Sequence, residues 1–280
     1  MKFNISSNLE YTIQSPSTII LNIHALRTPS QHILEENFAI EPALESDELI
    51  SITKENKFLR INITEPVTLK ISYNAVVDTY YNLTDFEFLE DVPLANLSFY
   101  ELSFLNPSRY CQSDKLYRFA NNKFGNIDNA FLKVVAITNW IHKNVEYLSG
   151  STNSQTSAYD TVAELAGVCR DFAHLGIALC RALTIPARYY TGYSYKLYPP
   201  DFHACFEAFL GDKWVIFDAT KLVPLNGLVK ISTGRDATDA PVASIFGNVR
   251  STVMKINCEC LDESFIPYKY DQDNLQGLSW

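Results

Sequence analysis

The sequence predicts an α+β protein in two parts: an N-terminal antiparallel β-sandwich over residues 1–100, then a unit of mixed helix and strand over 101–280. Three observations carry this expectation. Up to about residue 85, apolar and polar side chains alternate with a period of two, which places one face of each extended segment in a core. Between Asp128 and Pro186 the apolar spacing lengthens to that of helices. Alternation then returns around Gly211-Asp212, a two-residue turn of the kind that closes a tight hairpin.

In the first part, Ile19, Leu21 and Ile23 share one face of a strand, and Leu59, Ile61 and Ile63 share another. The longest run places Val67, Leu69, Ile71, Tyr73, Ala75 and Val77 on one side. Ser15-Pro16-Ser17, Glu41-Pro42 and Glu65-Pro66 separate these runs as turns. Short strands at this spacing predict a sandwich. No nucleophilic constellation stands out here, and His24 and His32 are expected to pack on strands or face solvent. Residues 86–127, interrupted by Pro93, Pro107 and Gly125, predict a connection, with a domain boundary near residue 100.

In the second part, Asp128 is the expected cap of a helix whose apolar face is Val134, Ile137, Ile141, Val145 and Leu148, flanked by Trp140 and Tyr147. A short helix from Tyr159 to Ala166 is expected to end at Gly167. The next helix begins at Cys169, buries Phe172, Leu175, Leu179 and Leu183, and stops before Pro186. Residues 187–195, 203–210 and 213–218 follow as strands. Gly234-Arg235-Asp236-Ala237 predicts a loop bordering the site, and alternation through Met254, Ile256, Cys258 and Cys260 predicts a final strand.

Composition narrows the function. Of 280 residues, 47% are apolar and 20% charged, which supports a sizeable core and argues against disorder. A net charge of −9 disfavours nucleic acid as a partner. No run of about 18 apolar residues predicts a membrane span, and Met1 to Ser7 lacks the apolar segment of a signal peptide, so the expectation is a cytoplasmic protein without a membrane partner. Six cysteines are too sparse for a disulfide scaffold. Cys258-Glu259-Cys260 has no second pair to complete a zinc site, so neither a metal nor a cofactor is expected.

The chemistry gathers around Gly167-Val168-Cys169-Arg170-Asp171-Phe172-Ala173-His174. Only a thiolate attacks well, and a helix N-terminus offers unpaired N–H groups that stabilise one. Cysteine, histidine and aspartate are the parts of an activated thiol with its base and orienter. The Gly211-Asp212 turn tests whether they can meet. If Leu210 pairs with Lys213, Cys205 lies opposite Asp218, and His203 shares the face of Cys205. His203 and Asp218 are then diagonal neighbours, about 7–8 Å apart at Cα and within side-chain reach. Cys169 is therefore the candidate nucleophile, His203 its base and Asp218 the orienter. The backbone N–H of Cys169 is one oxyanion donor, with Trp140 and Tyr147 as candidates for the second. Cys180 is expected in the core, whereas Cys205 is placed to line the site. His174 lies about 140° around the helix from Cys169 and should face elsewhere.

At these residues the chain resembles the bacterial transglutaminase-like superfamily, a group whose bacterial members are commonly classed as cysteine proteases. The matching pieces are Gly167 through His174, Cys180-Arg181-Ala182-Leu183 through Ile185-Pro186-Ala187-Arg188-Tyr189, then Gly192-Tyr193, Phe202-His203-Ala204 leading to Glu207, and Trp214 leading to Phe217-Asp218-Ala219-Thr220. They span roughly residues 105–250, and the segment around Pro16-Ser17-Thr18-Ile19-Ile20-Leu21 looks like the β-rich region that precedes this core in bacteria. The resemblance implies a papain-like core, with the cysteine helix on an antiparallel sheet, and a triad of Cys169, His203 and Asp218. It implies a cysteine hydrolase that cleaves an amide or peptide bond of a peptide or protein substrate through a thioester. Acyl transfer from glutamine-type amides to amines is the alternative, and a binding module without catalysis the other. Unlike the animal cross-linking enzymes, the chain has Val168 and Arg170 beside the cysteine and no calcium-type acidic loop.

Overall fold

The structure is a computed structural model describing residues 1–51, 56–270 and 275–280. Two antiparallel four-stranded sheets form the sandwich. One runs in spatial order Val249–Cys260, Lys2–Ile13, Val67–Thr79, Gln31–Glu41; the other runs Ala243–Phe246, Ser17–Leu21, Lys57–Ile63, Ser46–Ile50. In Lys2–Ile13 every second residue from Phe3 to Ile13 is buried, and the alternation expected for Leu69 to Val77 is also seen. Phe3, Ile5, Leu9, Ile19, Leu21, Ile61 and Ile71 meet in the shared core. Each sheet thus takes an edge strand from residues 243–260, within the stretch that the sequence allots to the second unit.

The second core is a six-stranded antiparallel sheet in the order Leu228–Gly234, Ala187–Ser194, His203–Leu210, Lys213–Phe217, Gln276–Ser279, Asn82–Asp85. The helix Cys169–Ala182 lies against it, backed by the helices Ser113–Phe124 and Ala130–Asn144. At their contact a Cβ on Gly176 would stand 2.5 Å from the Phe206 ring, so glycine lets the helix lie close on the strand. The hairpin has the expected register, Leu210 with Lys213 and Phe206 with Phe217. Gly211 and Asp212 both have positive φ, 53° and 61°, as a type I′ turn requires.

Glu207, on the histidine strand, is buried with Arg188 at 2.5 Å and Lys230 at 2.8 Å. Burial alone would raise its pKa, but the two cations hold it below the usual carboxylate range. The guanidinium of Arg188 also stacks 4.2 Å from the centre of the Trp214 ring.

Several helix boundaries differ from expectation. Asn129, not Asp128, caps Ala130–Asn144, its side chain accepting the Leu132 N–H at 3.0 Å. That helix ends before Val145, so Leu148 falls outside its apolar face and is exposed. The short helix Ala158–Glu164 is ended by Leu165 in the left-handed region rather than by Gly167. Gly167 instead makes room for Asp171, whose Cβ would lie 2.8 Å from one added at Gly167. The stretch expected as a connection contains the helix Ser113–Phe124, with Leu116, Ala120 and Phe124 buried. Among the described residues no helix is long and apolar enough to cross a membrane.

Candidate active site

Cys169 is the first residue of its helix and is half-buried. Val168, at the cap position, has no side-chain acceptor. Asp171 substitutes from inside the first turn, accepting the Val168 N–H at 2.9 Å. Asp171 is itself held by Arg170 at 3.1 Å and the Thr152 hydroxyl at 3.2 Å. The cysteine is therefore set on a firmly capped helix end, where unpaired N–H groups favour negative charge.

His203 opens its strand and is buried, with Nε2 3.2 Å from Oδ2 of Asp218. The contact is an ion pair bent away from linear hydrogen-bond geometry. The other carboxylate oxygen of Asp218 accepts the Thr220 N–H at 2.9 Å and its hydroxyl at 2.7 Å. Burial works to lower the His203 pKa, but the charges of Cys205 and Asp218 and the close approach of Asp218 and Cys169 together raise it well above the usual imidazole value. Burial pushes the Cys205 thiol up to about 12, so near neutrality it is uncharged and Asp218 is the partner that persists. For Asp218, burial acts upward, while the nearby His203 charge and the hydrogen bonds from Thr220 hold the carboxyl below its ordinary value. The structure thus brings His203 and Asp218 together as the hairpin register requires, with Cys169 close enough to act on the imidazole.

The donor atoms of His203, Cys205 and Asp218 lie within 4.8 Å of one another, all buried, so Cys205 does sit beside the pair. Cys180 is in the core, and burial raises its pKa. His174 faces away, stacked between Tyr110 and Tyr189 with ring centres 5.0 Å from each. Of the two aromatic candidates for an oxyanion donor, Tyr147 reaches the cysteine and Trp140 does not. Tyr147 lies close enough to Cys169 for the cysteine to act on its hydroxyl, and burial, then the sulfur, push it up to about 12. Trp140 packs on Phe119 and Phe124.

A groove of about 500 Å³ opens over Cys169 and His203, lined also by Tyr110, Arg170, Tyr189 and Phe202. Ala237 and Thr238, in and beside the loop expected to border the site, line it together with Ala240 to Ser244. Sequence reasoning missed residues 240–244, which carry no reactive group. They lead into and begin the strand Ala243–Phe246, which joins the sandwich.

Comparisons with known proteins are consistent across the chain. Residues 1–100 match the family described as bacterial transglutaminase, N-terminal domain, and residues 117–219 match the transglutaminase-like superfamily. A crystal structure from Cytophaga hutchinsonii, named a "Putative Cysteine Protease", is 60% identical over 100% of this chain and 97% of its own, with a TM-score of 0.98. An uncharacterized protein of Mycobacterium leprae is 32% identical over 136 residues, 45% of this chain and 48% of that protein, so the match spans about half that relative's length.

Proposed function

This chain belongs to the transglutaminase-like superfamily, and on that footing we propose that it is a cysteine-dependent hydrolase that cleaves an amide or peptide bond through a thioester. The observation that best supports the reading is the His203 imidazole, engaged by Asp218 at 3.2 Å and neighboured by the thiol of Cys169 at a helix N-terminus. Asp218 takes Nε2, which leaves Nδ1 to exchange a proton with the sulfur. The sulfur attacks a substrate carbonyl while His203 holds its proton, and Asp218 steadies the imidazolium. The oxyanion takes the backbone N–H of Cys169, with the Tyr147 hydroxyl nearby. The Tyr147 hydroxyl is the second donor, and its high pKa keeps its proton available. His203 then protonates the leaving amine, and water releases the acyl group.

Transfer to an amine shares every step up to the acceptor, so it remains the alternative outcome at the same thioester. A thiol-reactive probe tests the common part. Cys169 should label much faster than Cys180, and His203→Ala should remove the advantage. Equal labelling would refute the reading and favour a binding module without catalysis. Cys169→Ala should abolish turnover of an amide substrate while leaving the melting temperature close to that of the parent protein. A glutamine peptide offered with and without a primary amine separates the two acceptors: ammonia release without amine incorporation identifies the hydrolase.

A further inference from the structure

Although the chain carries a net charge of −9, no aspartate or glutamate is among the described residues lining the groove. The permanently charged lining residue is Arg170, next in sequence to Cys169. Its guanidinium is fixed in place. Nε and Nη2 reach Oδ1 of Asp171 at 3.3 and 3.1 Å, and Nη2 also meets the Thr152 hydroxyl and the Asn153 carbonyl, both at 2.6 Å. Among the described residues Nη1 has no hydrogen-bond partner. Asp171 offsets part of the charge, but its side chain is wholly buried while that of Arg170 is 25% exposed, so a solvent-borne group meets the cation. Outside the groove lining, Arg109 also lies over the Tyr110 ring, 5.1 Å from its centre against 5.7 Å for Arg170, while the buried carboxylate of Asp236 accepts the Tyr110 N–H at 2.9 Å.

We propose that the groove receives an amide substrate bearing a free carboxylate within one residue of the carbonyl attacked, and that Arg170 reads that carboxylate; this rests on the reaction proposed for Cys169. A charge-assisted hydrogen bond from a guanidinium is stronger than a neutral one. Because Arg170 is already immobilised, little side-chain entropy is lost when it forms.

A matched pair of alkylating reagents tests this without knowledge of the natural substrate. N-iodoacetylglycine and N-iodoacetylglycinamide present the same reactive carbon and differ in ending with a carboxylate or an amide. In both cases the Cys169 sulfur displaces iodide and forms a thioether. The carboxylate reagent should label Cys169 about tenfold faster, in keeping with one charge-assisted hydrogen bond. The ratio should shrink toward one in Arg170→Gln, lie between in Arg170→Lys, and fall with added salt. A ratio near one in the parent protein, read without any variant, would overturn the inference. So would a ratio that survives in Arg170→Gln while both rates fall together, which would make Arg170 a support for the helix end alone. If neither reagent labels Cys169 faster than Cys180, the thiol chemistry itself fails and takes this inference with it. Rapid labelling by the amide reagent with a ratio of one removes only the carboxylate.

Discussion

His203 and His174 are both buried imidazoles in the same core, yet their surroundings drive them in opposite directions. His203 faces a carboxylate at 3.2 Å and a thiol, and its pKa is raised well above the usual value. His174 lies between two tyrosine rings, one nearly parallel at 9°, and its Nε2 accepts the backbone N–H of Ala237 at 3.2 Å. Burial pushes it down to about 3, with Asp236 opposing and Arg170 and Arg181 reinforcing the shift. Desolvation acts alike on both, so the charge of the partner decides the sign. One imidazole is set up to carry a proton beside the sulfur. The other is kept neutral as an acceptor that holds Ala237, and so pins the loop lining the groove.

The sharpest way to break this contrast is to remove each ring in turn. His203→Asn should lower kcat/KM for an amide substrate by about a thousandfold or more, the range expected when a general base is lost. His174→Phe keeps an aromatic ring in the stack and should cost less than about tenfold, through the position of the loop. Equal losses would mean that His174 shares the chemistry. Asp218→Asn should fall between the two, about a hundredfold or more, because the imidazole keeps its place but loses the charge that stabilises its protonated form. Steady-state kinetics near pH 7, with melting curves to confirm folding, decide all three. An unchanged rate in Asp218→Asn would remove that residue from the mechanism.

The same contrast shows what the sequence could reveal. Alternation exposes a strand when one side is wet, as from Leu69 to Val77 in the sandwich. The strand Ala187–Ser194 is buried along its whole length, so its burial shows no such period, while alternation marks the neighbouring hairpin and the Gly211-Asp212 turn sets its register. That turn fixed the parity of His203 and Asp218, which is why the pair was legible. Lys2–Ile13 was less so, because the polar Ser7 interrupts its apolar face; Ser7 is nevertheless buried, within 3.2 Å of the Tyr193 hydroxyl. The pairing of Lys2–Ile13 with Val249–Cys260 joins opposite ends of the chain, a contact that local pattern does not encode. Asp128 and Asn129 are both able to cap, and only the fold chooses between neighbours. Tyr147 and Trp140 likewise both flank the helix face in sequence, but the helix ends before Tyr147, and the two-residue strand Glu146–Tyr147 carries the ring to Cys169.

The smallest expected effect is on stability, and its sign follows from the two shifts. His174 in the folded protein titrates at about 3, against an ordinary value of 6.5. As pH falls below about 6.5, the unfolded chain gains a proton that the folded chain refuses, so stability is lost, by about 2 kcal/mol at pH 5. His24, wedged against Phe38 and Tyr73 and lowered to about 4 by burial first, contributes with the same sign. His203 works oppositely: its raised pKa adds stability that is full below about 6.5 and is lost as pH rises through the folded value. The lowered carboxylates, Asp218, Glu207 and Asp236, lose their contributions only at lower pH, below the ordinary carboxylate range. Between pH 7 and 5, then, two neutral histidines oppose one charged one. His174→Phe should remove more than half of the acid-side loss measured by urea unfolding at pH 7 and pH 5, leaving the part that belongs to His24 less the opposing part from His203. If the variant loses as much stability over that interval as the parent protein, His174 is already protonated in the folded state, and the partner charge does not separate the two imidazoles.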